Sequence, residues 1–180
     1  MFCAADTITV DTTQWLIIAQ LLLALFMTGV IWTVQLVIYP QFRDVGETAF
    51  RDYHQEYMKR ISWIVVPLML AEMAFAILLA LWADDTMRPM AVTALALVLG
   101  AWGSTAFLQV PLHKKLGRCY TVGAHRSLVW SNWLRTAFWS ARSVYLFCWL
   151  VSLSPQSMKS LAFTEACGSK LGLGLAGLIS

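Results

Sequence analysis

Four apolar runs, each about twenty residues or longer, constrain this chain more than any other feature; that is the length a helix needs to cross a bilayer. They fall at about 14–39, 61–82, 90–110 and 128–153. A chain of 180 residues has too little interior to hide four such segments from water, and 59% of it is hydrophobic. The mean hydropathy of +0.65 points the same way. The expected fold is all-α: an integral membrane four-helix bundle over 1–155, with a short amphipathic cytoplasmic helix before helix two. Residues 156–180, with Gly168, Gly172, Gly174 and Gly177, read as a loosely ordered extension too glycine-rich for a fifth span.

Prolines and turn residues set the expected ends. Pro40 closes helix one, ADDTMRP at 83–89 follows helix two, helix three stops near Pro111, and helix four stops before Pro155. At 1.5 Å per residue the fourth reaches roughly 39 Å, so its first turn stands outside the hydrocarbon. Between helices one and two, FRDYHQEYMKR at 50–60 spaces Phe50, Tyr53 and Tyr57 among charges as an interfacial helix does. Arg43, Arg51, Lys59 and Arg60 occupy that loop; Lys114, Lys115, Arg118 and Arg126 occupy the loop between three and four. Only Arg88, Lys159 and Lys170 oppose them. The excess of basic residues places both loops in the cytoplasm and both termini on the far side, as in a multi-pass protein of a bacterial inner membrane. The amino terminus lacks a basic n-region, so the first span is expected to be retained.

Several classes fall away. The formal charge of +3 is small and gathers beside helix ends, not in a stripe suited to nucleic acid. Cys3, Cys119, Cys148 and Cys167 show no zinc or iron–sulfur spacing, so no metal site is expected. Cys148 reads as a buried thiol within its helix, and Cys3 and Cys167 would share the far side, where disulfides form.

The fourth run is the unusual one. Asn132, Arg135, Trp139 and Arg142 recur at helical spacing on one face. Each guanidinium costs about 2.5–3.5 kcal/mol at a bilayer centre on insertion scales, so the protein must offset it. Helix one offers a matching track of Thr28, Trp32, Gln35 and Tyr39, and helix three one of Trp102, Thr105, Gln109 and His113. Glu72 and Arg142 lie at similar depth and are expected to pair. His54 shares the Glu72 face if helix two runs unbroken upstream, although Pro67 lies between them. Arg135 then remains without a carboxylate, which favours an anionic, enolic or carbonyl-bearing ligand.

His113 and, second, His54 are the candidate acid–base residues, with Arg135 holding developing charge; Tyr39, Tyr53 and Tyr57 assist by hydrogen bonding. His125 reads as a histidine solvated at the membrane surface. Gln35, Tyr39, Glu72, Trp102, Gln109, Asn132, Trp139 and Arg142 form the candidate ligand-binding set, with the deeper tryptophans Trp32, Trp102 and Trp139 placed to stack on a flat ring. Gly100 and Gly103 let helix three approach a neighbour closely. The bland alternative makes the polar residues interhelical glue, with Glu72 and Arg142 its salt bridge. No cofactor is called for by the residues, while haem between two histidines, or a quinone, stays open. The remaining alternatives are a lipid- or organic-anion-binding or transport protein, for which a homo-oligomer would supply the pathway, and a structural subunit of a membrane complex.

VQLVIYPQF at 34–42, YHQEYMKRISWIVVPLMLAE at 53–72, VPLHKKL at 110–116 and NWLRTAFWSAR at 132–142 resemble a poorly characterised family of small four-helix bacterial membrane proteins. That group is similar in layout to the anthrone-oxygenase-like family, notably in the N-W-x-R of Asn132, Trp133 and Arg135. The resemblance implies membrane-associated oxygenation of an aromatic, polyketide-like substrate without metal or flavin.

Overall fold

The computed structural model describes the backbone of residues 3–153 and the side chains of 13–153. Among these residues all regular structure is helical. Four long helical stretches run up and down. The first packs against the second and fourth, and the third packs against the same two, which closes a ring of four neighbours. Three of the four, Thr13–Asp44, Glu47–Trp82 and Arg88–Arg118, are long and apolar enough to cross a membrane. The fourth, Val122–Ser152, falls short of that composition because its inner face carries Asn132, Arg135, Arg142 and Ser143. The 156–180 extension and Cys167 lie outside the described residues, as does the side chain of Cys3.

The polarity of the assembly is inverted relative to a water-soluble domain. Outward faces carry Leu22, Phe26, Trp63, Phe107, Val144 and Phe147, all exposed, whereas Gln20, Glu72, Asn132 and Arg142 have no exposed surface at all. Cys148 also lies on the exposed side, not in the core expected for it.

Prolines bend the expected boundaries without ending helices. The first helix passes from its α-helical part, Cys3–Thr33, into a π turn, Val34–Ile38, and continues as Tyr39–Gln41 and the 3-10 turn Phe42–Asp44. Proline lacks an amide hydrogen and its ring collides with the carbonyl four residues back, so continuing an unmodified α-helix through Pro40 would be strained. Here the Tyr39 amide reaches back five residues to Val34, which widens the turn just ahead of the proline. The third helix repeats the device: after Arg88–Ser104 comes the π turn Thr105–Gln109, with the Val110 amide bonded to Thr105 one residue before Pro111. It then runs on through Val110–Arg118. Thr33 and Thr105 each donate a side-chain hydrogen bond to the carbonyl four residues earlier, a contact that helps a helix bend at these points.

The second helix is one piece, Glu47–Trp82, α-helical through Pro67. The amphipathic stretch 50–60 is therefore its first third and not a separate helix. The fourth starts earlier than expected, at Val122, where Thr121 caps it by accepting from the Ala124 amide. Gly100 lies where the third helix meets the fourth: a Cβ there would overlap the ring of Phe138. No such constraint acts at Gly103, which is open for 4 Å around.

Three apolar clusters stack along the axis. Ile17, Leu79, Ala91 and Leu146 hold one end, Met27, Ile31, Met69 and Trp139 the middle, and Tyr39, Phe42, Phe50, Leu116 and Leu128 the other end. Fully burying a side chain of this size stabilises by about 1.5–3 kcal/mol where water is the alternative. Phe42 is the hub of the last cluster, with its ring edge-on to those of Phe50, Tyr53, His54 and Tyr57.

Candidate functional site

Two polar centres lie along the inner face of the fourth helix. The deeper one surrounds Arg142. Its Nε lies 3.6 Å from Oε1 of Glu72, both side chains being completely buried, so the expected pair is present. Arg142 also donates to Oε1 of Gln20 at 2.7 Å and to the carbonyl of Ala94. Gln20 in turn donates to the Phe75 carbonyl, and the other oxygen of Glu72 accepts from the indole of Trp139 at 2.8 Å. All four helices contribute, and this centre does not border the cavity described next.

The second centre surrounds Arg135, which is 6% exposed and has no carboxylate among its hydrogen-bond or ion-pair partners. One nitrogen donates to Oδ1 of Asn132 at 3.3 Å; Nε is buried without a partner. Asn132 donates to Gln35 at 2.7 Å, and Gln35 donates to the Val129 carbonyl. The guanidinium sits 5.4 Å from the ring centre of Trp139, a cation–π contact that supports it from beneath.

Arg135 borders a cavity of about 150 Å³ between the first, second and third helices. Its walls are mostly apolar, with Val30, Ile31, Ile61, Val65 and Met69, while Tyr39, Tyr57, Gln109, His113 and Arg135 supply the polar part. A cavity of this volume holds one aromatic ring. The π turns serve this wall directly, because Tyr39 and Gln109 leave them side by side: the Tyr39 hydroxyl donates to Oε1 of Gln109 at 3.3 Å. Gln109 is fixed by donating to Ser131 at 2.8 Å.

The histidines join here. The Tyr39 hydroxyl lies 2.9 Å from Nε2 of His113, and Nδ1 of His113 lies 3.0 Å from Nε2 of His54. The two facing nitrogens bond to each other, so a haem held between these imidazoles would require them to part. Outside His113 and His54 opens a second, wider hollow of about 500 Å³, bordered by Lys59, Lys114, Gly117 and Arg118. His125 is not solvated as the sequence suggested. It is buried, and its Nε2–H donates to the Tyr39 carbonyl at 2.7 Å, because the carbonyl can only accept.

The structure thus brings together His54, His113, Tyr39, Gln109 and Arg135 from the candidate set. Gln35 and Asn132 stand behind Arg135 as its supports. Glu72 and Arg142 form the separate deeper centre, so Arg142 is not placed to hold a ligand in this cavity. Trp139 lies under Arg135, Trp32 is bonded to Ser140 on the outer side, and Trp102 is half-buried; none of the three borders the cavity. Phe42, Ser131 and Gly117 were not singled out in the sequence. Only their closeness to Tyr39, Gln109 and His54 in space marks them.

Comparison of the chain with protein-family models, with curated proteins and with solved structures found no match.

Proposed function

We propose that this chain is a multi-pass membrane protein, a four-helix bundle in a bacterial inner membrane, that acts as an oxygenase-like oxidoreductase on a small aromatic or enolisable hydrophobic substrate. Its exposed apolar girdle and buried polar interior support the membrane setting. Among the described residues the basic side chains at 43–60 and 114–126 gather at one end of the helices, and Arg88 stands alone at the other. By the positive-inside tendency the site end faces the cytoplasm, with both termini opposite.

The observation that carries the chemistry is Arg135, a buried guanidinium without a counter-ion at the wall of a ring-sized cavity, beside a Tyr–His–His chain. A buried charge left unpaired is costly, and an oxyanion in the cavity would offset it. Tyr39 is the group offered to the ligand. It accepts a proton while passing its own to His113, and His113 passes one on to His54. The ligand becomes an enolate or phenolate held against Arg135.

Dioxygen is the co-reactant. A methylene of the substrate becomes a carbonyl, losing four electrons and two hydrogens; one oxygen atom enters the product and the other leaves as water. This reading is supported by the resemblance to the anthrone-oxygenase-like family, which rests on the four helices and the N-W-x-R of Asn132, Trp133 and Arg135 and whose members are regarded as needing neither metal nor flavin.

The test is to extract small molecules from the detergent-solubilised protein and identify them by mass spectrometry, comparing wild type with Arg135→Ala. An aromatic or enolisable molecule present in the first and lost in the second is expected. A blank in both overturns the ligand site. A retained anion that consumes no oxygen leaves a binding or transport role in its place.

A further inference from the structure

Every hydrogen bond in the chain from Tyr39 to His54 can reverse together. When Tyr39 donates to Gln109, its oxygen accepts from Nε2–H of His113, Nδ1 of His113 accepts from His54, and the far nitrogen of His54, Nδ1, is left bare. When Tyr39 donates to His113, His113 donates to His54 and Nδ1 of His54 carries the hydrogen. The two patterns differ by one proton moved from the cavity end to Nδ1 of His54. A relay of this kind works only if that last nitrogen meets water.

Gly117 decides whether it does. The residue borders the outer hollow, and a Cβ added there would rest 3.5 Å from Nδ1 and 3.7 Å from Cε1 of His54. That is ordinary contact distance, so a methyl group fits, and it would occupy the place from which a water molecule reaches the nitrogen. Among the described residues Nδ1 of His54 takes no hydrogen bond from the protein, whereas its ring is otherwise enclosed, stacked on Phe50 and edge-on to Phe42. Gly117 lies inside the helical segment Val110–Arg118, where glycine is a weak helix former compared with alanine, and its absent side chain leaves the gap.

We propose that Gly117 keeps open an aqueous port onto His54, so that His54 and His113 carry protons between the outer hollow and the buried cavity at Arg135. This deepens the proposed function and rests on it for its purpose, but its physics is independent of any substrate. Lys59, Lys114 and Arg118 border the port, and Arg135, Tyr39 and Tyr57 face the inner end.

The experiment follows solvent exchange of the imidazole N–H hydrogens by NMR, on full-length protein labelled with ¹⁵N-histidine and held in phospholipid nanodiscs. In Gly117→Val and in His54→Phe, exchange at His113 is expected to slow by about a hundredfold, the lower range of what a positioned proton-transfer group contributes. The Tyr39–His113 signals should stay in place in Gly117→Val. If that variant does not fold, Gly117→Ala, which the space admits, is expected to slow exchange in the same direction. Unchanged exchange in a folded Gly117 variant overturns the port, because protons would then reach His113 from the cavity side. Arg135→Ala separates the two readings: loss of the co-purified ligand with the relay intact speaks only to the ligand site, and fast exchange with the port covered speaks only to the relay.

Discussion

Arg135 and Arg142 stand two turns apart on one face of one helix, and the protein treats them in opposite ways. Arg142 is enclosed by Glu72, Gln20 and the Ala94 carbonyl, contributed by the other three helices, and does not border the cavity at Arg135. Among the described residues Arg135 has only neutral partners, Asn132 and Tyr39, and a ring-sized space in front of it; its Nε, like that of Arg142, lacks a hydrogen-bond acceptor, but only the Nε of Arg142 lies beside a carboxylate. The first arrangement ties helices together; the second holds a charge ready for something else. The difference teaches that a buried arginine marks a site only when its neighbours leave it incomplete.

The sharpest way to break this contrast is to truncate Arg142. Arg142→Met leaves Glu72 buried and unpaired, which costs about 3–5 kcal/mol, and the thermal unfolding midpoint in detergent, followed by tryptophan fluorescence, is expected to collapse. The double variant Glu72→Met/Arg142→Met should recover most of the loss, because removing both charges also removes their desolvation. Failure of the double variant to recover would mean that Gln20 and Ala94, not Glu72, carry the centre.

A smaller effect tests the packing that sets the fourth helix beside the third. Gly100→Val drives a side chain into Phe138 and should cost about 1–3 kcal/mol in the same unfolding measurement, with Phe138→Ala in the same chain relieving part of it. The smallest effect belongs to Arg135. Arg135→Met keeps the volume and removes an unpaired charge, so the stability read from the same unfolding measurement is expected to hold within about 1 kcal/mol or to rise. A collapse as large as that of Arg142→Met would erase the distinction and return both arginines to the role of interhelical glue.

Much of this was legible in the chain, and the exceptions share a physical cause. The polar face of the fourth helix showed in the spacing of Asn132, Arg135, Trp139 and Arg142, and the Glu72–Arg142 pair followed from their similar depth. The meeting of His54 with His113 did not show, because it needs the second helix to begin at Glu47 and the third to run on past Pro111. Pro40 and Pro111 read as stops in the sequence, and a π turn upstream of each lets the helix pass. The tryptophans were readable as deep but not in their direction: Trp139 supports Arg135 from behind, and the aromatic side chains at the cavity wall are Tyr39, Tyr57 and His113. His125 looked like a surface residue because its partner, the carbonyl of Tyr39, is a backbone group that no side-chain pattern reveals.

The paired π turns have a consequence for how such a chain can change its length. Each takes up one residue more than an α-helical turn would, so the loss of a single residue within 34–38 or 105–109 would close the turn to an α-helical one, whereas the same loss elsewhere in these helices would rotate everything beyond it by about 100°. Tyr39 and His113 would keep facing the wall after a loss inside the π turn, and would swing out of it after a loss in the α-helical part upstream. These two turns are where the first and third helices can lose a residue without re-aiming the site.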